Sequence, residues 1–239
     1  MKAQALIAAL SLTLGACATQ PSTDPASFAG RTGHNSFELL GGSVDPPATL
    51  LLAVRHDQQV DGAACGAHAL ATVLQYWFGD GQPSGAEIFA AQPPADAAAG
   101  YSMAEVLKLA DHYGLLASAV RMPEAGLRAE LEAGRPVLVP VTVPAVHVQT
   151  WQLPGANLPL LGVPAAIITS RQAWLSEKTG RGMVNHYVLA AGYQDDTFIV
   201  MEPVMGLRTI RAERLARYRD PFGGAAIVFS RPEDQPPNE

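Results

Sequence analysis

The chain has 239 residues and a formal net charge of −6 at pH 7. This acidic balance, with no run of basic residues, argues against nucleic acid as a partner. Residues 49–232 are long enough to form one domain with a substantial core.

The first residues, MKAQALIAALSLTLGAC, have the form of an export signal. Lys2 precedes an apolar run, Ala3–Leu14, that is too short for a lasting membrane span. The run leads into Leu14-Gly15-Ala16-Cys17, which resembles the lipobox of bacterial lipoproteins. The resemblance implies that residues 1–16 are a signal peptide, removed before the Cys17 thiol is lipidated. An ordinary signal peptide with a chance cysteine is the alternative.

Lipidation at Cys17 would place the protein in the bacterial cell envelope. Several acyl chains on one residue give firm membrane attachment, since each buried CH₂ contributes about 0.8 kcal/mol. Ala18 follows the cysteine where inner-membrane retention favours Asp, so the resemblance points to the outer membrane and the periplasm. Residues 17–48 are rich in Pro, Gly, Ser and Thr and are expected to form a flexible tether. Residues 233–239 are a polar tail that we expect to be disordered.

Helical patterns dominate the first half of the folded segment and strand patterns the second. A short apolar strand is predicted at 49–54, and a largely buried helix runs from Cys65 to about Phe78. Further helices are predicted at 84–91, 102–113 and 123–134, the first capped by Ser84 and the second opened by a capping box, Ser102 with Glu105. Strands follow at 136–144, 186–193, 198–204, 207–210 and 225–230, with a hairpin connection at 194–197 and a short helix, ERLARY, before the last strand. This order predicts an α+β fold, with N-terminal helices packed on a mostly antiparallel sheet.

A long apolar, proline-rich insert, 144–185, interrupts the strands. A loop of this length in a compact domain is usually functional or contains structure of its own, and 165–178 is a candidate helix. Three interpretations remain open: a wall of the active site, a docking surface for a secretion-system partner, or a packed elaboration.

Cys65 is the one cysteine left over if Cys17 carries lipid, and an unpaired thiol in an exported protein is unusual. At the first turn of a helix, the positive end of the helix dipole favours the thiolate over the thiol. Gln59, six residues upstream, can supply an N–H to the oxyanion that forms when a carbonyl is attacked. A buried structural cysteine is the alternative.

His186 begins an apolar strand, an expensive position for a polar ring without a partner. Glu202 follows sixteen residues later, after one hairpin. If the two strands pair, the Glu202 carboxylate returns toward His186 and can fix its tautomer, as the third member of a catalytic triad does. A core histidine with satisfied hydrogen bonds and an unrelated edge-strand glutamate are the alternative.

Three stretches together, QVDGAACGAHAL, GRPVLVPV and NHYVLAAGY with IVMEP, resemble the C39 peptidases, which are papain-like cysteine peptidases. Many of these form the N-terminal domain of bacteriocin-exporting ABC transporters and cut leader peptides after a Gly-Gly pair. The resemblance covers about residues 52–230. It implies a papain-like fold, a peptide or protein substrate and no cofactor.

Carried over residue by residue, the resemblance makes Cys65 the nucleophile, His186 the general base and acid, and Gln59 the oxyanion donor. Glu202 stands where the family has Asp, and Ala64 where an acidic residue is frequent. His68 stands where a small residue is usual. Cys65 and His68 lie on nearly the same helical face and resemble half of a metal site, but no second Cys/His pair at ligand spacing accompanies them, so no metal is expected.

The chain has no P-loop motif and no second long apolar stretch, unlike the transporter proteins, so we expect a stand-alone peptidase domain. One alternative is a binding or assembly lipoprotein that keeps the peptidase fold without turnover. A second is a cell-wall hydrolase of the NlpC/P60 kind, in which Asp-Cys-Ser-Gly usually surrounds the nucleophile. This chain instead has Ala-Cys-Gly at 64–66 and the upstream Gln59.

Overall fold

The structure is a computed structural model that describes residues 47–60, 63–148 and 159–232, with the backbone alone for 159–166. The predicted signal peptide at 1–16, Cys17 and nearly all of the tether at 17–48 therefore lie outside the described residues, as does the tail at 233–239. None of the described helices is long and apolar enough to cross a membrane.

Six α-helices occur in the described residues, and most lie where the sequence predicts them. Ser84 and Ser102 each accept a hydrogen bond from the backbone of the third helical residue, whose glutamate side chain returns the contact. Both are complete capping boxes, which fix where their helices begin. The helices are α1 (Cys65–Phe78), α2 (Gly85–Ala91), α3 (Met103–His112), α4 (Glu124–Glu132), α5 (Pro159–Thr179) and α6 (Ala212–Arg219).

One antiparallel sheet carries the second half of the domain. Its order is β2-β7-β3-β4-β5-β6, and β1 pairs with β4 beside this path. The predicted hairpin joins β4 to β5, where Gln194 pairs with Thr197. The strands are β1 (Thr49–Leu51), β2 (Leu116–Arg121), β3 (Val137–Pro144), β4 (Met183–Gln194), β5 (Thr197–Glu202), β6 (Gly206–Arg211) and β7 (Ala225–Ser230).

Each face of the sheet packs against its own helices. Alternation along β3 directs Leu138 to one face and Val139 to the other, because successive side chains of a strand point in opposite directions. The first face packs against α1, α2 and α3, and the second against α4 and α6. The expected α+β architecture, with N-terminal helices on a mostly antiparallel sheet, is confirmed.

The structure departs from the predicted elements at several places, and strand β4 begins at Met183, three residues before the predicted 186. Strand β1 ends at Leu51, three residues earlier than predicted, and the Val54 N–H then bonds back to the Leu52 carbonyl. Strand β2 was not predicted. Within the insert, helix α5 begins at Pro159 and is longer than the predicted 165–178.

Candidate active site

Cys65 is the first residue of α1, and its side chain is buried at the end of a cavity. No side chain caps this helix, since Ala64 occupies the cap position, and the first turn holds no acidic residue. The helix N-terminus therefore keeps its positive partial charge beside the thiol. Gly66 lets Tyr101 pack closely here, since a Cβ would lie 3.0 Å from the Tyr101 Cβ and would force a small shift.

His186 and Glu202 form a buried pair on neighbouring strands. The antiparallel register of β4 and β5 aligns Leu189 with Met201, which brings Glu202 toward the start of β4. The His186 Nε2 lies 2.7 Å from the Glu202 Oε1. Both side chains are buried, with exposed fractions of 4% for His186 and 8% for Glu202.

The Glu202 carboxylate is also held by the turn that follows it. Its Oε1 accepts a hydrogen bond from the Val204 N–H at 2.9 Å, and its Oε2 accepts one from the Met205 N–H at 2.6 Å. These backbone donors fix the carboxylate in place without help from another side chain. The extra methylene relative to Asp is therefore accommodated, and Glu202 reaches His186.

The pKa of His186 reflects contacts on both sides of its ring. Burial alone would lower this pKa, but hydrogen bonds with Cys65 and Glu202, together with the charges of those two groups, raise it from 6.5 to about 9. At neutral pH the imidazole is therefore protonated, which stabilises a thiolate beside it. The three side chains are thus linked in the order Cys65, His186, Glu202.

A cavity of about 520 Å³ opens over this group. Gln59, Cys65 and His186 all line it, so the structure brings together the three residues predicted to surround the reacting carbonyl. Gln59 is only 2% exposed. The remaining walls are mostly small side chains: Ala63, Ala97, Ala98, Ala99, Gly100, Ala145, Val148, Val184 and Asn185.

Part of the insert forms a wall of this cavity. Ala145 and Val148 follow β3 directly, and Val184 and Asn185 belong to the start of β4. The two ends of the insert therefore form a wall of the site, which is one of its three interpretations. Residues 149–158 lie outside the described residues. Helix α5 exposes large apolar side chains, namely Ile167, Ile168, Trp174 and Leu175.

A second cavity, of about 360 Å³, lies next to the first and shares His186 and Val148 with it. Its surface combines apolar strand residues with basic ones. Burial and the nearby Arg214 lower the pKa of His147 at its edge. The apolar lining residues are Val143, Val188, Val200 and Ile210, and the arginines are Arg208, Arg211 and Arg214.

Sequence reasoning missed a second buried histidine–carboxylate pair. His68 Nδ1 contacts Asp57 Oδ1, and the His68 side chain is 4% exposed. Among the residues that the structure describes, no group of three or more His, Cys, Asp or Glu side chains is arranged to hold a metal ion. His68 thus has a carboxylate partner from the loop before α1, which helical spacing alone does not reveal.

Comparison with known proteins gives matches at the level of structure. No family model matches the sequence, and the comparison with curated proteins found no match. A protein named a C39-like peptidase, from Bacillus anthracis, superposes with a TM-score of 0.50 at 16% identity, over 77% of this chain and 98% of that one. The chain therefore has the fold of the papain-like C39 peptidases, as expected.

Two further solved structures align less closely. One is a double glycine motif protease from an AMS/PCAT transporter in complex with the leader peptide, with a TM-score of 0.47 and 18% identity over 76% of this chain and 94% of that one. The other is the peptidase domain of Streptococcus ComA, a bifunctional ABC transporter, with a TM-score of 0.45 and 16% identity over 73% and 96%.

Proposed function

We propose that the protein is an exported, membrane-tethered cysteine peptidase that cleaves peptide bonds through Cys65, His186 and Glu202. One observation carries the proposal: Cys65 at an uncapped helix N-terminus interacts with His186, whose other side is bonded to the buried Glu202. A structural cysteine does not require a protonated histidine beside it. Gln59 lines the same cavity, where an oxyanion donor is needed.

The proposed reaction is acyl transfer. His186 holds the proton lost by Cys65, and the thiolate attacks the substrate carbonyl. The carbonyl electron pair moves to oxygen, which accepts hydrogen bonds from the Gln59 side chain and the Cys65 backbone N–H. His186 then protonates the departing amine as the C–N bond breaks. Water, deprotonated by His186, hydrolyses the thioester and restores the thiol.

The two cavities suggest the class of substrate. The small side chains around Cys65 leave room for an extended peptide backbone at the cleaved bond. The adjoining cavity, with its apolar strand residues and three arginines, suits a segment carrying an apolar and an acidic side chain. We therefore propose a secreted peptide or protein as substrate, and the exposed apolar residues of α5 as the surface for a secretion-system partner.

The decisive experiment is the pH dependence of Cys65 alkylation by iodoacetamide in protein lacking residues 1–17. We expect fast labelling below pH 7, at least 10-fold slower in His186→Ala. A matched control is Tyr76→Phe, which removes a hydrogen bond at the far end of the same helix, from the Tyr76 hydroxyl to the Gly134 carbonyl. Its labelling should equal that of the wild type.

Slow labelling that rises only near pH 8.5 in all three proteins would leave a peptidase-shaped binding lipoprotein. Incubation of reactive protein with a mixed peptide library, analysed by mass spectrometry, should yield cuts that Cys65→Ser abolishes. Release of fragments from purified peptidoglycan, with no peptide cuts, would favour the cell-wall hydrolase instead.

Membrane tethering has a separate test in the full-length chain. Labelled palmitate should enter the wild-type protein, which should fractionate with outer membranes. Cys17→Ser should take up no label. Equal labelling of the two proteins would rule out Cys17 as the lipidation site.

A further inference from the structure

Gln59 belongs to a loop that is fastened to both halves of the active site. We call residues 55–60 the Gln59 loop. On one side the backbone N–H of Gln59 donates to the Pro203 carbonyl at 2.8 Å, directly after Glu202. His56 donates to the same carbonyl through Nε2, also at 2.8 Å. This side of the loop is thereby tied to the turn that holds the Glu202 carboxylate.

The other side of the loop is tied to the helix that carries Cys65. Asp57 Oδ1 contacts His68 Nδ1, one turn into α1, and accepts a second hydrogen bond from the Gly85 N–H at 3.1 Å. Asp57 thus joins the Gln59 loop to α1 and α2 at a single oxygen. Its side chain is 10% exposed, so water competes little for these contacts.

The packing around His68 leaves its ring little freedom. A Cβ at Gly85 would lie 2.4 Å from both the Cα and the Cγ of His68, so α2 approaches α1 as closely as a glycine allows. A buried His–Asp pair carries a desolvation penalty that a well-packed apolar pair would avoid. The residues used in the proposed reaction do not include this pair.

From these contacts we infer that the Asp57–His68 pair positions Gln59 to stabilise the oxyanion. Gln59 lies two residues after Asp57 and six before Cys65, so a fixed Asp57 limits how far the Gln59 side chain can move from the thiol. His68 and Asp57 are positioning residues that act through Gln59. The inference rests on the proposed peptidase function.

The test compares two reactions of the same thiol in protein lacking residues 1–17. Acetyl-glycyl-glycinal forms a reversible hemithioacetal: a bond forms between Cys65 Sγ and the aldehyde carbon, and the carbonyl electron pair becomes an oxyanion that needs its donors. Iodoacetamide is displaced at a saturated carbon and forms no oxyanion. We expect Gln59→Ala to weaken aldehyde binding about 100-fold and His68→Leu or Asp57→Ala about 10-fold, with alkylation rates within about 3-fold of wild type.

A double variant and a rescue separate positioning from general damage. In Gln59→Ala, adding His68→Leu should weaken aldehyde binding no further, because the effect passes through Gln59. His68→Asn places an amide N–H near the position of Nδ1 and should recover most of the binding. Tyr76→Phe, a change of similar size on the same helix, should leave both reactions unaltered.

The outcomes distinguish the inference from the function on which it rests. Slow alkylation of the wild type would overturn both. Fast alkylation with additive effects of Gln59→Ala and His68→Leu, or unchanged aldehyde binding in His68→Leu and Asp57→Ala, would overturn the inference and leave the peptidase function standing. If wild type binds the aldehyde no better than Gln59→Ala, Gln59 is not an oxyanion donor and the inference also fails.

Discussion

The His186 ring is held between a sulfur and a carboxylate, and each of these two contacts raises its pKa. Burial opposes them, and the balance puts this pKa at about 9. Protonated His186 is the acid that the departing amine requires, so the proposed activity should fall as pH rises through this value. The Glu202 carboxylate contributes to this alkaline limit of activity, because its charge and its hydrogen bond favour the protonated His186 ring.

Glu202→Gln should shift the alkaline limit of activity to lower pH. The neutral amide removes the charge that favours imidazolium while leaving the side-chain length unchanged. The measurement is the pH profile of kcat/KM on any peptide cut by the wild type, with Glu132→Gln as a control. Glu132 accepts a hydrogen bond from Tyr193 on another part of the sheet. An unmoved limit in Glu202→Gln would show that this carboxylate does not tune His186.

Sequence alone could indicate His186 and Glu202 because each interrupts an apolar strand with a polar residue that is costly there. It could indicate Cys65 because this is an unpaired thiol at the start of a helix. It could not indicate the Asp57–His68 pair. Asp57 lies in a loop without periodicity, and its partner is set by how α1 and α2 pack. Nor could sequence show that the turn after Glu202 supplies two backbone donors, since these depend on the turn's conformation.

At the scale of elements, the close contact of α1 with α2 depends on one glycine. Gly85→Ala should lower the free energy of unfolding by about 1–3 kcal/mol, since its Cβ would meet the backbone and ring of His68. Urea denaturation would measure this. The matched control is Gly126→Ala in α4. The atom nearest to the added Cβ would be the flexible Met122 Cγ, at 2.8 Å, so we expect little change in the free energy of unfolding. Equal effects at both glycines would contradict the packing argument.

The elements that sequence reasoning found share clear signals, and those it missed lack them. Capping boxes and apolar periodicity mark α2 and α3, and continuous apolar runs mark β3 and β7. Strand β2, LASAVR, mixes small and polar residues because it lies at the edge of the sheet, where each of its residues is half-buried or exposed. Helix α5 begins at Pro159 and continues through Pro164, which gives up one backbone hydrogen bond, and a proline inside a helix is not expected from sequence patterns.

At the scale of the whole molecule, the raised pKa of His186 links global stability to pH. The folded state keeps the His186 proton up to about pH 9, whereas the unfolded chain releases it near 6.5. The part of this stabilisation that comes from the hydrogen bond with Glu202 is therefore complete below about pH 6.5 and is lost as pH rises toward 9. Denaturation across this range should show the decline in wild type and a flatter curve in His186→Gln. If the stability of wild type and of His186→Gln changed with pH in parallel, His186 would not link stability to pH.

Strand β7 follows every other described strand in the sequence, yet it lies between β2 and β3 and contributes Ala226, Ile227 and Phe229 to the two cores. The sheet therefore cannot close until residues 225–230 are available to pair with β2 and β3. A chain without these residues would lack the strand that contributes side chains to both cores. Because β3 pairs with both β7 and β4, the strand that carries His186 is supported by a segment that follows it in the sequence, and the Cys65 site should depend on that segment.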